Sequence, residues 1–254
     1  MPADPALSAY VLCATPRSGS TLLCETLAAT GVAGRPNSFF RPADILAWAD
    51  RWEIPHPDGS ETPAFDRAFP AAARREGEAG TGVFGLRLMW DSLAEASRRL
   101  NRALGREMDV AEALEAAFGP VLFVHLSRED RVAQAVSRLR AEQSGLWHLA
   151  ADGSVLEGAA KPRATAYDGP RIAQLVRELA DAEDGWDRFF RDRDLHPLRL
   201  TYEGLAARPA AAVALVLAAL GLDPTGAADF KPATSRLPPA EGQAWAERFR
   251  REGG

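Results

Sequence analysis

The chain has 254 residues, 46% of them hydrophobic and 26% charged, with a formal net charge of −5. That length supports a substantial core in one or two domains. The mild acidity excludes a broadly basic nucleic-acid-binding face, and no apolar run approaches the ~20 residues of a membrane span. The N-terminus lacks a charged start followed by an apolar stretch. The two cysteines have neither metal nor disulfide spacing. A cytoplasmic protein with buried free thiols at Cys13 and Cys24 is therefore expected.

Residues 9–14 (AYVLCA) predict a buried strand, and 20–30 a helix. A helix follows over 42–52. A proline-rich polar stretch at 53–81 holds one short helical pattern near 63–75. Strand 82–88, helices 91–104 and 109–118, strand 120–126 and helix 130–143 come next. A long polar connection, 144–167, precedes helix 168–193, strand 197–202 and helix 209–220. The tail, 222–254, reads as irregular chain ending in a helix at 240–251. No repeat or linker divides the sequence, so one domain over 1–254 is expected, with flexible loops at 53–81 and 144–167 bordering a site. Alternation of short apolar strands and helices predicts an α/β fold, a parallel sheet covered by helices on both faces.

The turn between the first strand and helix carries the first chemistry. Laid on the phosphate-loop pattern G-x-x-x-x-G-K-[ST], residues Ala14 to Thr21 keep Gly19 and Thr21 but place Ser20 where the lysine belongs. Arg17 is the nearby cation; Ser18, Ser20 and Thr21 offer hydroxyls, and the helix N-terminus adds partial positive charge. This suits a terminal phosphate without the metal of a nucleoside triphosphatase. The competing reading is a plain strand–turn–helix corner with Ser20 or Thr21 as N-cap.

A second cluster lies where strand 120–126 ends. Ligands of parallel sheets bind beyond the carboxyl ends of the strands, so Arg128 emerges on the same edge as the loop. Ser137 follows on the next helix. Were 128–137 all helix, Arg128 and Ser137 would stand roughly 13 Å apart, too far to share one phosphate. Residues 127–130 are therefore expected to turn, with the helix starting near Asp130 or Arg131. The alternative is a capping box, Ser127-x-x-Asp130, with Arg128 as surface charge.

Together the stretches TPRSGSTLL, GVAGRPNSFF, GLRLMW, SREDRVAQAVSRLRA, DGWDRFF and LTYEGL, in order from residue 10 to about 205, resemble bacterial trehalose 2-sulfotransferase-like enzymes. A weaker echo lies in the tail. That resemblance implies a P-loop-type sheet, often dimeric, and 3′-phosphoadenosine 5′-phosphosulfate (PAPS) as sulfuryl donor without a metal. It implies that Arg17, Ser18, Gly19, Ser20 and Thr21 hold the 5′-phosphosulfate, and that Arg128 and Ser137 hold the 3′-phosphate. Arg87 would face the substrate or the transferring group, and Arg236 would close over the donor. The implied acceptor is a carbohydrate or glycolipid hydroxyl, with Ser38, Phe39, Phe40 and Trp147 lining its pocket.

One departure stands out. The family pattern has an acidic base immediately before the Phe-Phe pair, and this chain has Ser38 there. Serine does not accept a proton at neutral pH without a base beside it. His148, after Trp147 in the long polar connection, is the first candidate base, with Asp44 and His56 behind it. His125, in mid-strand, reads as a core residue and His196 as a surface turn. Two other functions remain open at this point: a non-catalytic binder of PAPS or its product, and a P-loop kinase with an unusual loop.

Overall fold

A computed structural model describes residues 7–57, 62–150, 155–158, 163–227, 234–235 and 239–253. In chain order, β1 (Ala9–Ala14) leads into α1 (Ser20–Ala29), and α2 (Ile45–Arg51) and α3 (Pro63–Glu78) precede β2 (Phe84–Met89). Next come α4 (Leu93–Leu104), α5 (Val110–Phe118), β3 (Val121–Ser127) and α6 (Arg131–Ser144). A pair of short strands, β4 (Leu146–Ala150) and β5 (Val155–Gly158), precedes the long α7 (Gly169–Asp192) and β6 (Leu198–Thr201). The chain continues through α8 (Tyr202–Ala207), α9 (Pro209–Ala219), β7 (Thr234–Ser235) and α10 (Pro239–Arg251).

Four of the strands form the expected parallel sheet, in the order β2-β1-β3-β6. β1 is wholly buried, and its side chains alternate between two cores, as the period of a strand requires. Ala9, Val11 and Cys13 face a cluster with Phe39, Phe84, Leu86, Trp186 and the α4–α5 residues. Tyr10 and Leu12 face the other, with α1 and α9. The chain leaves β1 for β2 on one side, then crosses back to β3 on the other. That reversal makes the carboxyl ends of β1 and β3 the topological switch point, where open parallel sheets bind ligands.

Two expectations about loops need correction. The connection 144–167 is not irregular throughout: β4 pairs antiparallel with β5, and with β7 from the tail, in a separate three-stranded sheet. The tail therefore holds a strand as well as its helix. Strand 197–202 ends at Thr201, and the next residue opens α8.

Cys13 and Cys24 are free and buried as expected. Burial pushes the Cys13 thiol well above its ordinary range and the Cys24 thiol up to about 11. Both are expected to resist a thiol-reactive disulfide near pH 8 in the native protein and to react fully in urea. Fast labelling of the folded chain would contradict this packing.

Candidate functional site

The loop after β1 is fixed from beneath. Trp186 of α7 donates its indole N–H to the carbonyl of Ala14 at 3.0 Å. α7 comes this close because residue 185 is glycine: a Cβ there would lie 2.3 Å from the Trp90 ring. From the side, Gln134 of α6, buried, donates to Thr15 Oγ1 at 2.9 Å and to the carbonyl of Pro16 at 2.7 Å. So held, the loop tolerates two left-handed residues, Gly19 at φ 85° and Arg17 at φ 65°. The glycine adopts that conformation freely, whereas for arginine it costs on the order of 1 kcal/mol. Strain of this kind persists where surrounding contacts over-determine the backbone.

Gly19 is the N-cap of α1, and no side chain caps the helix. The expected alternative, a corner capped by Ser20 or Thr21, is therefore not the arrangement found. The first-turn N–H groups and the dipole are left to an external partner. Ser18 is fully buried, and its Oγ has no hydrogen-bond partner among the described residues. An unsatisfied buried hydroxyl beside an uncapped helix start fits an anion-binding loop.

The second cluster reaches the same rim. Residues 128–130 turn, Asp130 accepts the Ala133 N–H at 2.9 Å as N-cap, and α6 starts at Arg131, as expected, whereas Ser127, expected in the turn, is the last residue of β3. Arg128 Nη1 donates to the main-chain carbonyl of Arg17 at 3.1 Å. Arg17 in turn donates Nε to Ser137 Oγ at 3.1 Å and Nη1 to the carbonyl of Trp147 at 2.5 Å. Arg17, Arg128, Ser137 and the start of β4 thus form one connected group. Across the loop, the Arg128 guanidinium carbon sits 4.3 Å from the Tyr202 ring centre. The Glu203 carboxylate accepts the N–H groups of Glu129 and Asp130 at 3.2 and 3.3 Å.

Arg87 supplies a third arm. It alternates on β2 with Leu86 and Leu88, which face the opposite core, so its side chain points to the α1 side. There Nη1 donates to Thr21 Oγ1 at 2.8 Å and Nε to Ser38 Oγ at 2.7 Å. Ser38 is placed beside it because Asn37 makes a parallel bridge to Leu86 and accepts the Arg87 N–H at 3.0 Å. Arg87 therefore joins the phosphate loop to the segment before the Phe-Phe pair.

Other expected site residues fall differently. Phe39 and Phe40 are corrected: both are fully buried, Phe39 against Trp48 and Phe84, Phe40 against Phe69 and Phe118, and neither offers a face to a ligand. Trp147 is half-buried at the loop, and the backbone of His148 follows it in β4. Arg236 lies outside the described residues, though β7 just before it pairs with β4. His125 is a buried core residue: Nδ1 is hydrogen-bonded to Arg199 at 2.9 Å, and Nε2 lies 2.9 Å from Glu183 without hydrogen-bond geometry. Asp44 pairs with Arg41, and His56 with Asp50. Gln134, Tyr202 and Glu203 went unread in the sequence; the start of α8, just beyond a strand end on the binding edge, was the available signal.

Among the described residues no group of three or more His, Cys, Asp or Glu is gathered as a metal would require. The Stf0 sulphotransferase family model matches residues 9–252. The trehalose 2-sulfotransferase of Mycobacterium tuberculosis is 33% identical over 267 aligned positions, covering 97% of this chain and 96% of that protein. That of Mycolicibacterium smegmatis is 33% identical over 263, covering 96% and 95%. Among solved structures, the sulfotransferase domain of the Synechococcus PCC 7002 olefin synthase covers 98% of this chain and 90% of its own, at 17% identity and a TM-score of 0.40. The family match spans nearly the whole chain, including the phosphate loop, the Arg87 strand and the Arg128 turn, and the chain belongs to the Stf0 sulphotransferase family.

Proposed function

We propose that this sulfotransferase moves a sulfuryl group from PAPS to a hydroxyl of a carbohydrate or glycolipid acceptor. The observation that carries the reading is the meeting of two cationic cradles on one rim, with Arg128 bonded to the carbonyl of Arg17 and Arg17 bonded to Ser137. A donor bearing a phosphosulfate on the 5′ oxygen of its ribose and a separate phosphate on the 3′ oxygen needs two such cradles. The residues present fit it: the helix start is uncapped, Ser18 Oγ is unsatisfied among the described residues, and Gly19 leaves no Cβ in the loop.

When bound, the donor supplies an activated sulfuryl group and a bisphosphate leaving group. Arg17, Ser18, Gly19, Ser20 and Thr21 hold its 5′ end, and Arg128 and Ser137 its 3′-phosphate. Arg17 and the loop N–H groups take up the charge that builds on the bridging oxygen, in a setting where preorganised donors act strongly. Arg87, tied to Thr21 and Ser38, stands between the donor end and the acceptor wall. His148 is the proton acceptor in this reading, since Ser38 serves as hydrogen-bond acceptor to Arg87 and has no carboxylate character. Arg236, outside the described residues, is kept in this reading as a donor-binding residue. Both trehalose-modifying relatives support a sugar acceptor. No described helix is long and apolar enough to cross a membrane, and the reading includes a cytoplasmic, dimeric enzyme.

The test is transfer of labelled sulfate from PAPS to carbohydrate and glycolipid extracts, with an Arg17→Ala control. Firm binding of adenosine 3′,5′-bisphosphate with transfer to no acceptor would contradict it. Arg128→Ala is expected to weaken bisphosphate binding about 30-fold, the loss of roughly 2 kcal/mol from a charged hydrogen bond, with turnover at saturating donor largely kept. Isothermal titration and initial rates measure the two separately.

A further inference from the structure

Arg128 is long and its backbone lies in a turn, so something must fix where its guanidinium goes. The β3–β6 register answers part of this. Ser127 pairs with Thr201, which brings Tyr202 directly beside Arg128. The Tyr202 ring lies beneath the guanidinium at 4.3 Å, well inside cation–π range. The same ring abuts the phosphate loop: a Cβ built on Gly19 would fall 2.6 Å from Tyr202 Cδ2. One aromatic plate therefore touches both cradles and sets the gap between them. Its neighbour secures the turn, since both carboxylate oxygens of Glu203 accept backbone N–H groups, from Glu129 and Asp130. Thr201 Oγ1 accepts the Gly204 N–H at 3.1 Å and fixes the start of α8, which carries both residues.

We propose that Tyr202 and Glu203 are positioning residues that hold the Arg128 guanidinium at the rim and so set the preference for a nucleotide with a 3′-phosphate over one without it. The inference rests on the reading that Arg128 binds that phosphate. It adds that the preference is built by the pair after β6, and that the aromatic face, not the phenol hydroxyl, is the part of Tyr202 that matters. Removing the plate lets the guanidinium leave the loop carbonyl for solvent. Affinity then falls for the bisphosphate and is largely kept for the monophosphate, whose 5′ end meets a loop that Trp186 and Gln134 hold without the ring.

Binding of adenosine 3′,5′-bisphosphate and of adenosine 5′-monophosphate to the full chain, measured by titration calorimetry, tests this. Tyr202→Leu is expected to reduce the ratio of the two affinities about tenfold, with monophosphate affinity unchanged to within about twofold. Tyr202→Phe keeps the ring and is expected to keep the ratio. Glu203→Ala is expected to lower it in the same direction, and decides the matter with Tyr202→Phe should Tyr202→Leu fail to fold by its thermal midpoint. Equal losses for both nucleotides, or an unchanged ratio, would overturn the positioning role while leaving the Arg128 reading intact. A native chain that does not distinguish the two nucleotides would overturn both.

Discussion

Arg17→Ala is expected to lower turnover about 10²–10³-fold, the usual cost of removing one preorganised donor from a site of charge development. Bisphosphate affinity should fall far less, by under about tenfold. The asymmetry follows from which atoms do what. Arg128 is anchored on the main-chain carbonyl of Arg17, which survives the substitution, so the second cradle stays in place. The lost side chain is the one whose Nε and Nη1 reach Ser137 and the carbonyl of Trp147, across the mouth of the loop. Arg17→Gly serves as the companion variant. Its backbone adopts φ 65° without penalty, so it should match the alanine variant in activity and exceed it in thermal stability. Single-turnover sulfate transfer with calorimetric binding separates the effects; a loss confined to binding would refute the assignment of Arg17 to the chemical step.

Gly19→Ala is expected to be the most damaging small substitution in the site. The backbone sits at φ 85°, and the new methyl would lie 2.6 Å from the Tyr202 ring and 3.7 Å from Leu205. Left-handed strain and overpacking together amount to about 2–4 kcal/mol. For a chain of this length the thermal midpoint would drop on the order of 5–10 °C. Relief requires the ring to move, so bisphosphate affinity should fall with stability. Circular dichroism melts and titration on the same sample check both; an unchanged midpoint would mean that the loop is looser than this packing allows.

The four strands of the main sheet are readable because each is a short run with apolar residues flanked by polar punctuation; burial leaves that mark most fully in β1, while the edge strand β6 buries only Leu200. β4 and β7 are not readable, since their pairing joins Leu149 to Ser235 across most of the C-terminal half and no local pattern announces a partner so distant. Within the candidate site, Arg17 and Arg128 could be placed from the strand ends they follow, and the start of α6 from the turn that the spacing to Ser137 demanded. Gln134 looks like any polar residue of an amphipathic helix; only the fold brings it under the loop. Phe39 and Phe40 escape a sequence reading because a stacking surface and a core wedge have the same composition, and what separates them is the aromatic wall behind them, Trp48 and Phe84 for Phe39, Phe69 and Phe118 for Phe40.

The loop arginine meets its hydroxyl partner from 120 residues along the chain and its carbonyl partner from 130. No stretch shorter than about half the chain holds all three, and closing such long segments is costly until the sheet itself exists. Under the proposed reading, nucleotide affinity is therefore expected to depend on long-range closure and to be lost from short fragments. By linkage, bisphosphate at about 100 times its dissociation constant adds roughly 2.7 kcal/mol to the stability of the entire fold. Under that reading, donor abundance is expected to become a determinant of how long each copy of the enzyme survives.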